Sequence, residues 1–478
     1  MNKYKKRLLR LLPKSVFARG VSVLVGGTAG AQLLLILAAP ILTRLYTPED
    51  FGLLAVYGSM LAMIGVVASL HYELAIPLPD DDVDAANIVV LCLVLVLTIS
   101  FFTGVAIYFW GSAIAKLLSV PRLANYLWLL PIGVVLTCFY TVFNYWGIRT
   151  KQFSDIASTK LNQAIATLAI QLLGYKLGGL ALLLGQVAGQ SVGSTRLAVQ
   201  TLKRSEFKQL SLNNMKKGFF RYKEFPLYTT WSSLVNTAGH QLPPLIFVAF
   251  FSVEAAGIYA LANRLLTMPA NIIGGALAQV FFSHGVDSHR SGNLGVIFGK
   301  VQNALIQIGL PPAMILAFVG PDFFEFFFGI EWRLAGVFSQ WLALGAFLGF
   351  VVSPLSHVFT ILEMQRLGLK LQLFLFISRF IGIFLGFWEG TVIASIMYFS
   401  FGSAMGYMAY IYFGARVSGC ALIELTKSML IGIVKATVII VPILIGYYSG
   451  SQWLTIVLCT VSALTYASHC YRIAKDYV

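Results

Sequence analysis

Five basic residues fall inside strongly apolar segments of this chain, where a charge is costly without polar surroundings. A lysine or arginine at the centre of a lipid-facing helix costs about 2.5–3.5 kcal/mol on insertion. No Asp or Glu lies at the centre of any of these segments. Cations without a central carboxylate suit an anionic ligand, and a diphosphate can pair with arginine in bidentate fashion. The five residues are Lys160, Arg196, Arg264, Arg379 and Lys435.

The depth of these cations separates them into groups. Arg264 and Arg379 are about nine or ten residues from either end of their segments, so we expect them to face an internal cavity. The structural alternative is that they bind backbone carbonyls between helices. Lys160 and Arg196 are about four or five residues from one end, so they can instead extend to the lipid headgroups. Lys435 is intermediate in depth.

Three more residues are candidates for function, Arg44 for the cationic cavity and His240 and Glu73 for ion coupling or a gate. Arg44, beside Glu49 and Asp50, is expected to form a local ion pair or headgroup contact, with a phosphate ligand as the alternative. His240 lies near the middle of an apolar segment and is either a satisfied neutral histidine or an ion-coupling group, because histidine titrates near neutrality. Glu73 either anchors the end of its segment or acts in a gate or in ion coupling.

The composition identifies a polytopic membrane protein with an all-α fold. Hydrophobic residues make up 58% of the chain and charged residues 11%, and the mean hydropathy is +0.80. A soluble protein of this length would need far more surface charge. Fourteen apolar segments are long enough to cross a bilayer. They lie at about 21–43, 51–76, 85–110, 123–147, 157–175, 179–201, 226–250, 256–281, 297–319, 335–361, 369–388, 391–413, 428–448 and 451–471.

The distribution of basic residues predicts the orientation. Most of the 34 Lys and Arg residues lie in the N-terminal tail and in alternate connections, with the largest loop cluster at 202–225. By the positive-inside rule, both termini are cytoplasmic. This bias accounts for most of the net charge of +15, so nucleic acid is not an expected partner. The tail at 1–20 is basic and amphipathic, as in segments that lie on an anionic leaflet.

Two motifs occur twice in the chain. TAGAQ at 28–32 recurs as TAGHQ at 237–241, and YTPEDFGLLA at 46–55 recurs as FSVEAAGIYA at 251–260. Such internal similarity is typical of transporters with two related halves. An even number of segments separates the copies, so the halves are parallel repeats. The predicted organisation is a tail at 1–20, a six-helix lobe at 21–201, a linker at 202–225, a second six-helix lobe at 226–415 and an extra helix pair at 416–478.

The same motifs carry a family resemblance. The runs PILTRLYTPEDFG at 40–52 and YELAIPLP at 72–79 resemble the start of bacterial O-antigen flippases of the Wzx type. These belong to the multidrug/oligosaccharidyl-lipid/polysaccharide exporter superfamily. The block GIYALANRLLTMP at 257–269, which includes Arg264, resembles the eighth helix of that family. The resemblance extends to about residue 415, and the last two helices are a departure from the twelve that many members have.

The resemblance implies a transporter and not an enzyme. Such a protein flips an undecaprenyl-diphosphate-linked oligosaccharide across the bacterial inner membrane by alternating access, while the lipid tail stays in the bilayer. Its expected partners are this substrate, membrane lipids and the polysaccharide polymerase machinery, and no cofactor or metal is expected. The chain has no GxxxxGK[ST] motif, so an ion gradient or downstream polymerisation would drive transport.

Two other functions stay open at this point. A related exporter could carry a drug or the cell-wall lipid precursor, although the missing central carboxylates count against cationic drugs. A membrane polymerase or ligase would need a sizeable outward loop for catalytic groups. The longest outward connections expected here are only 111–122 and 320–334.

Overall fold

The computed structural model describes residues 16–270, 274–449 and 452–477, so most of the predicted tail at 1–20 lies outside it. The described residues form helices joined by short turns, and none of them is in a strand. Helices satisfy every backbone hydrogen bond internally, which a hydrocarbon environment requires. In chain order, the α-helices are α1 Val16–Leu37, α2 Ala39–Leu45, α3 Pro48–Ala68, α4 Asp82–Leu117, α5 Leu129–Arg149, α6 Phe153–Leu173, α7 Gly179–Leu202, α8 Leu212–Arg221, α9 Thr230–Phe250, α10 Val253–Pro269, α11 Gly275–Arg290, α12 Leu294–Phe328, α13 Arg333–Leu355, α14 Val358–Ile361, α15 Gln365–Trp388, α16 Val392–Ser418, α17 Leu422–Tyr448 and α18 Gln452–Tyr477.

The helices confirm the all-α membrane fold. Each predicted apolar segment overlaps one of these helices or a consecutive pair. Among the described residues, nine helical stretches are both long and apolar enough to cross a membrane. The total of fourteen spans stays a prediction. The expected outward connection at 320–334 is much shorter in the structure, because α12 continues to Phe328 and α13 begins at Arg333.

The chain divides into two compact units, Met1–Ala260 and Leu261–Val478. In the first unit, α6 packs on α7, α5 on α7, α1 on α6, and α3 on α9. In the second unit, α15 packs on α16, α12 on α13, and α17 on both α12 and α18. The lobes predicted at 21–201 and 226–415 stay a prediction, because these units follow packing and not the sequence repeat.

The start of α3 explains the polar part of the first motif. The Thr47 side chain accepts a hydrogen bond from the Asp50 backbone at 3.3 Å, and Asp50 Oδ2 accepts one from the Thr47 backbone at 3.2 Å. Pro48 occupies the first helical turn, where no amide donor is needed. Asp50 Oδ1 also accepts a hydrogen bond from the Gly179 backbone at 2.8 Å. One carboxylate therefore caps α3 and fixes the beginning of α7.

The two copies of this motif pack against each other within the first unit. A Cβ on Gly52 would overlap the backbone carbonyl of Val253, and a Cβ on Gly257 would overlap the backbone carbonyl of Pro48. Positions 48 and 253 are equivalent in the repeat, as are 52 and 257. The contact is thus reciprocal, and glycine is required on both sides because the backbones leave no room for a side chain.

The second apolar segment, predicted to run to 76, stops being α-helical at Ala68. Leu70 and His71 adopt left-handed backbone angles, with φ values of 51° and 58°, and a short 3₁₀ turn follows at Tyr72–Ala75. Residues with side chains rarely adopt positive φ, so the chain reverses direction here at a cost that the surrounding packing must offset. Glu73 consequently lies in a turn and not at the end of a helix.

Candidate functional site

The candidate cations are distributed over both units. Arg44 lies on α2, Lys160 on α6 and Arg196 on α7 in the first unit, whereas Arg264 on α10 and Arg379 on α15 belong to the second. Their surroundings differ sharply, and these differences separate residues that are available to a ligand from residues engaged in packing.

Lys160 and Arg196 lie near the same end of the packed pair α6 and α7. The Lys160 ammonium is 4.7 Å from the centroid of the Tyr140 ring, which stabilises a cation without consuming its hydrogen-bond donors. No described carboxylate pairs with Lys160. Arg196 is exposed, and its Nη2 is 3.7 Å from Asp155 Oδ1 in the first turn of α6. Lys160 is therefore the more available cation of the two.

Arg44 does not form the local ion pair expected from its neighbours. Glu49 instead pairs with Arg122 at 3.1 Å, and Asp50 is occupied by the Thr47 cap and by the Gly179 amide. Within the described chain, the exposed Arg44 guanidinium has no hydrogen bond or ion pair. The sequence reasoning failed here because the partner of Glu49 is distant along the chain.

A hydroxyl group next to this cap stays protonated at neutral pH. The Tyr46 hydroxyl donates a hydrogen bond to the backbone carbonyl of Gln171 on α6. Burial, together with the negative charge of Asp50, raises the pKa of Tyr46 to about 12. The hydroxyl therefore remains a donor at neutral pH and ties the connection between α2 and α3 to α6.

Arg264 is exposed on α10, between buried neighbours such as Tyr259 and Leu261. Its guanidinium makes no hydrogen bond or ion pair with any residue that the structure describes. An arginine retains its charge at any working pH and presents five donors in a fixed fork. The described residues leave these donors unused, so they are available to an anionic ligand.

Arg379 has the opposite environment, with only 6% of its surface exposed. Its Nε donates to Ser403 Oγ at 3.0 Å and its Nη2 to the Tyr407 hydroxyl at 2.6 Å. The guanidinium carbon is also 5.1 Å from the Tyr407 ring and 5.8 Å from the Phe399 ring. All these partners are on α16, so the side chain locks α15 to α16. The alternative role between helices is thus well supported, although the partners are hydroxyls and rings and not the expected backbone carbonyls.

A buried acid and base lie side by side in the turn after α3. His71 Nδ1 is 3.1 Å from Glu73 Oε1, and only 5% of the Glu73 surface is exposed. The other two polar atoms of the pair, Glu73 Oε2 and His71 Nε2, are buried without a hydrogen-bond partner. Buried polar atoms are normally satisfied, so this pair has capacity for a proton or another small ligand. Sequence reasoning identified Glu73 but missed His71, two residues earlier.

An arginine organises the chain beyond this turn. Arg149 at the end of α5 donates to the carbonyl of Pro79 at 2.7 Å and to Asp82 Oδ1 at 2.8 Å. Its contacts fix the connection that follows Glu73, so the acidic residue has a rigid support.

His240, the other candidate for ion coupling, is exposed on α9. Its neighbour Gln241 accepts a hydrogen bond from Ser59 on α3 at 3.1 Å, which attaches this part of α9 to the helix that carries the first motif. The structure does not place His240 in the same pair as Glu73 and His71.

The fold is that of known membrane transporters. Over 96% of this chain and 99% of the other, the structure is similar to "Lipid II flippase MurJ, inward closed conformation", with a TM-score of 0.70 and 13% sequence identity. It is also similar to an inward-facing multidrug resistance MATE family transporter of the MOP superfamily, with a TM-score of 0.65, 15% identity and coverage of 81% and 94%. A MOP superfamily transporter from Pyrococcus furiosus matches with a TM-score of 0.55, 15% identity and coverage of 84% and 96%.

Residues 41–335, more than half of the chain, match the family described as "Polysaccharide biosynthesis protein", and the chain belongs to this family. The matched region includes the blocks at 40–52, 72–79 and 257–269 almost entirely, which confirms the resemblance to polysaccharide flippases of the exporter superfamily. No curated protein matches the sequence significantly.

Proposed function

We propose that this protein is a flippase that moves an undecaprenyl-diphosphate-linked oligosaccharide, the repeat unit of O-antigen or a related polysaccharide, across the bacterial inner membrane. The observation that carries the proposal is membership of the polysaccharide biosynthesis family in a chain with the fold of a lipid II flippase and of MATE transporters. Membership of the family supports a polysaccharide substrate. The fold supports transport, and not catalysis, as the activity.

The diphosphate of the substrate would be recognised mainly by Arg264. Its unpaired guanidinium can hold two phosphate oxygens at once, and such charge-assisted bonds are roughly twice as strong as neutral ones. Arg44 and Lys160 have no described anionic partner either. They lie toward opposite ends of α6, because the Tyr46 hydroxyl next to Arg44 bonds to Gln171 near the end of that helix and Lys160 is near its start, so each would contact the diphosphate at a different stage of transport. Arg196 and Arg379 already have protein partners, and they would support the site from its edges.

Movement would follow alternating access of two lobes around this cationic cavity, with both termini in the cytoplasm and the lipid tail in the bilayer. We place the outer gate at the reciprocal contact of Gly52 with Val253 and of Gly257 with Pro48. Close backbone contact seals a passage without bulky side chains, and it can open by separation of α3 from α10. The substrate would then pass to the polysaccharide polymerase machinery.

The coupling group would be Glu73 with His71. Glu73 Oε2 is buried without a hydrogen-bond partner, so binding of an ion there would satisfy it and stabilise one state of the transporter. His240 is the second candidate, because histidine is the residue type whose ordinary pKa lies closest to neutrality. Either group would use an ion gradient in place of nucleotide hydrolysis.

Complementation tests the proposal. The gene is placed in a strain that lacks its O-antigen flippase and makes the matching lipid-linked oligosaccharide, and surface polysaccharide is measured. We expect restoration by the wild type, loss with Arg264→Gln, and restoration with Arg416→Gln, a matched loss of charge outside the proposed site. Membrane insertion of each variant is checked first. Absence of restoration by an inserted wild type would exclude the proposed substrate.

Export of the cell-wall lipid precursor is the second candidate. The match to the lipid II flippase covers 96% of this chain, so it extends into the extra helix pair at 416–478. The MATE transporter covers only 81%. The same gene in a strain depleted of its lipid II flippase separates the two functions, because growth would be restored only if the precursor is carried. A membrane polymerase or ligase is a weaker third candidate.

A further inference from the structure

A second cationic site lies entirely within the second unit, among α12, α17 and α18. It is a cavity of about 580 Å³. Apart from Ile473, the described residues that line it are basic or polar, and no described carboxylate is among them. The main ones are Lys300, Asn303, Gln307, Lys435, His469 and Arg472.

A hydrogen-bonded chain fixes the Lys435 side chain. The Lys435 ammonium donates to Gln307 Oε1 at 2.7 Å, and Gln307 Nε2 donates to Asn303 Oδ1 at 2.8 Å. Asn303 therefore turns the oxygen of the buried Gln307 toward Lys435. An ammonium group has three donors, so two remain for a ligand in the cavity.

The wall formed by α18 contains an unsatisfied polar atom. His469 and Arg472 are three residues apart and so share a helix face. The positive charges of Lys435 and Arg472 both act on His469, and His469 Nε2 is buried without a hydrogen-bond partner. Neither Lys435 nor Arg472 pairs with a carboxylate in the described part of the chain. Several positive charges beside an unsatisfied polar atom make this cavity suited to an anionic ligand.

The surface beside the cavity is strongly apolar. On α17, the positions around Lys435 expose Ile433, Val434 and Val438, and on α18 Val461 and Leu464 are exposed. Within the segment expected to span the membrane from 428, Lys435 is about 10 Å along the helix. An anion that occupies this cavity would thus lie close to hydrocarbon, which a free phosphate ion would avoid and a lipid phosphate would not.

We propose that the cavity binds the phosphate of an anionic phospholipid, whose acyl chains lie along the exposed apolar surface of α17 and α18. Arg472 and Lys300 would attract the headgroup at the mouth, and Lys435 and His469 would donate to its oxygens inside. The bound lipid would hold the extra helix pair, 416–478, against α12. This site does not depend on the proposed transport function.

The test measures lipid binding to the purified full-length protein by native mass spectrometry. Phosphatidylglycerol and phosphatidylcholine are titrated against the wild type and against Lys435→Gln combined with Arg472→Gln. We expect the wild type to prefer phosphatidylglycerol and the double variant to bind it about tenfold or more weakly, because each removed charge donates a strong hydrogen bond. The matched control, Lys427→Gln with Arg416→Gln, removes equal charge from α16 and α17 outside the cavity and is expected to bind normally.

Lys435→Arg distinguishes loss of the charge from misfolding. It retains the charge and is expected to retain most of the phosphatidylglycerol binding. Equal losses in the cavity variant and in the control would overturn the proposal in favour of general surface charge. Displacement of phosphatidylglycerol by an equal concentration of inorganic phosphate would contradict a lipid ligand. If the double variant Lys435→Gln with Arg472→Gln lost binding of a polyprenyl diphosphate but still bound phosphatidylglycerol normally, the site would belong to the transported lipid. That result would overturn the proposal of a phospholipid site.

Discussion

Gly257 lies so close to Pro48 that a Cβ at position 257 would overlap the Pro48 carbonyl group. Its equivalent in the repeat, Gly52, lies in the same way against Val253. The two motif copies therefore form one reciprocal contact between the beginnings of α3 and α10. Two similar sequence segments thus form the two sides of one close contact, and this contact is the observation behind the proposed outer gate.

Gly257→Ala tests this contact. The added methyl group must displace backbone, and overpacking of this kind costs about 1–3 kcal/mol. We expect a lower melting temperature of the purified protein and a loss of surface polysaccharide in the complementation strain. Gly30→Ala is the control, because nothing lies within 4 Å of a Cβ at that position. Since alanine is otherwise preferred in helices, Gly30→Ala is expected to be neutral or stabilising. Equal behaviour of the two variants would contradict the close contact.

Arg379→Gln is expected to reduce stability. The substitution removes the donors to Ser403 and Tyr407, and hydrogen bonds from charged groups contribute about 1.5–3 kcal/mol each. Thermal unfolding in detergent measures the change. An unaltered melting temperature with transport abolished would instead assign Arg379 to substrate binding.

Arg264→Gln is expected to show the reverse pattern. Its guanidinium has no described protein partner, so the free energy of unfolding should change by no more than about 0.5 kcal/mol, as for surface substitutions. The melting temperature should therefore change little. Transport should be lost, because the diphosphate would lose its bidentate partner. Arg264→Lys should retain part of the transport activity, since lysine keeps the positive charge but lacks the paired donors of the guanidinium. A stability loss as large as that of Arg379→Gln would exclude a pure binding role.

Glu73→Gln is expected to uncouple transport from an ion gradient. The amide retains the shape of the side chain and removes the ionisable group. Flipping in vesicles should then become insensitive to an imposed proton or sodium gradient. Glu389→Gln is the control, because Glu389 is exposed and bonded only to Tyr398. Gradient dependence that survives in Glu73→Gln would move the coupling role to His240 or elsewhere.

The Tyr46 hydroxyl predicts a stability change at alkaline pH. Its pKa is raised from 10.0 to about 12 in the folded protein, so the unfolded chain ionises first. The contribution of Tyr46 is therefore complete below pH 10 and is lost as the pH rises toward 12. We expect the stability difference between the wild type and Tyr46→Phe to shrink over this interval. A constant difference from pH 8 to 11 would contradict the raised pKa.

The helices were predictable from the sequence because apolar runs of bilayer length leave the backbone few alternatives. The end of α3 was not, because the apolar run continues to Ile76 while the chain turns after Ala68. Side-chain pairing was also poorly predicted. Glu49 pairs with Arg122 and not with Arg44, and only packing brings those helix ends together.

The second cationic cavity was not predicted from the sequence either, because packing brings together residues that are distant along the chain. In the sequence, Lys300 and Arg472 do not differ from the other basic residues near the ends of apolar segments, and Lys435 is of intermediate depth. Their convergence follows from the packing of α12, α17 and α18. For the proposed substrate site, position in the sequence did not distinguish Arg264 from Arg379. Only the contacts distinguish an unpaired guanidinium from one that locks two helices together.

The most direct test of the account is flipping by the purified protein in proteoliposomes. Undecaprenyl-diphosphate-linked oligosaccharide is placed in both leaflets, and the fraction accessible to a membrane-impermeant reagent is followed over time. The account predicts rapid access to the inner-leaflet pool with the wild type and with Arg416→Gln, and access at the rate of protein-free liposomes with Arg264→Gln. Wild-type protein that is folded and inserted but leaves the inner pool protected would contradict the account.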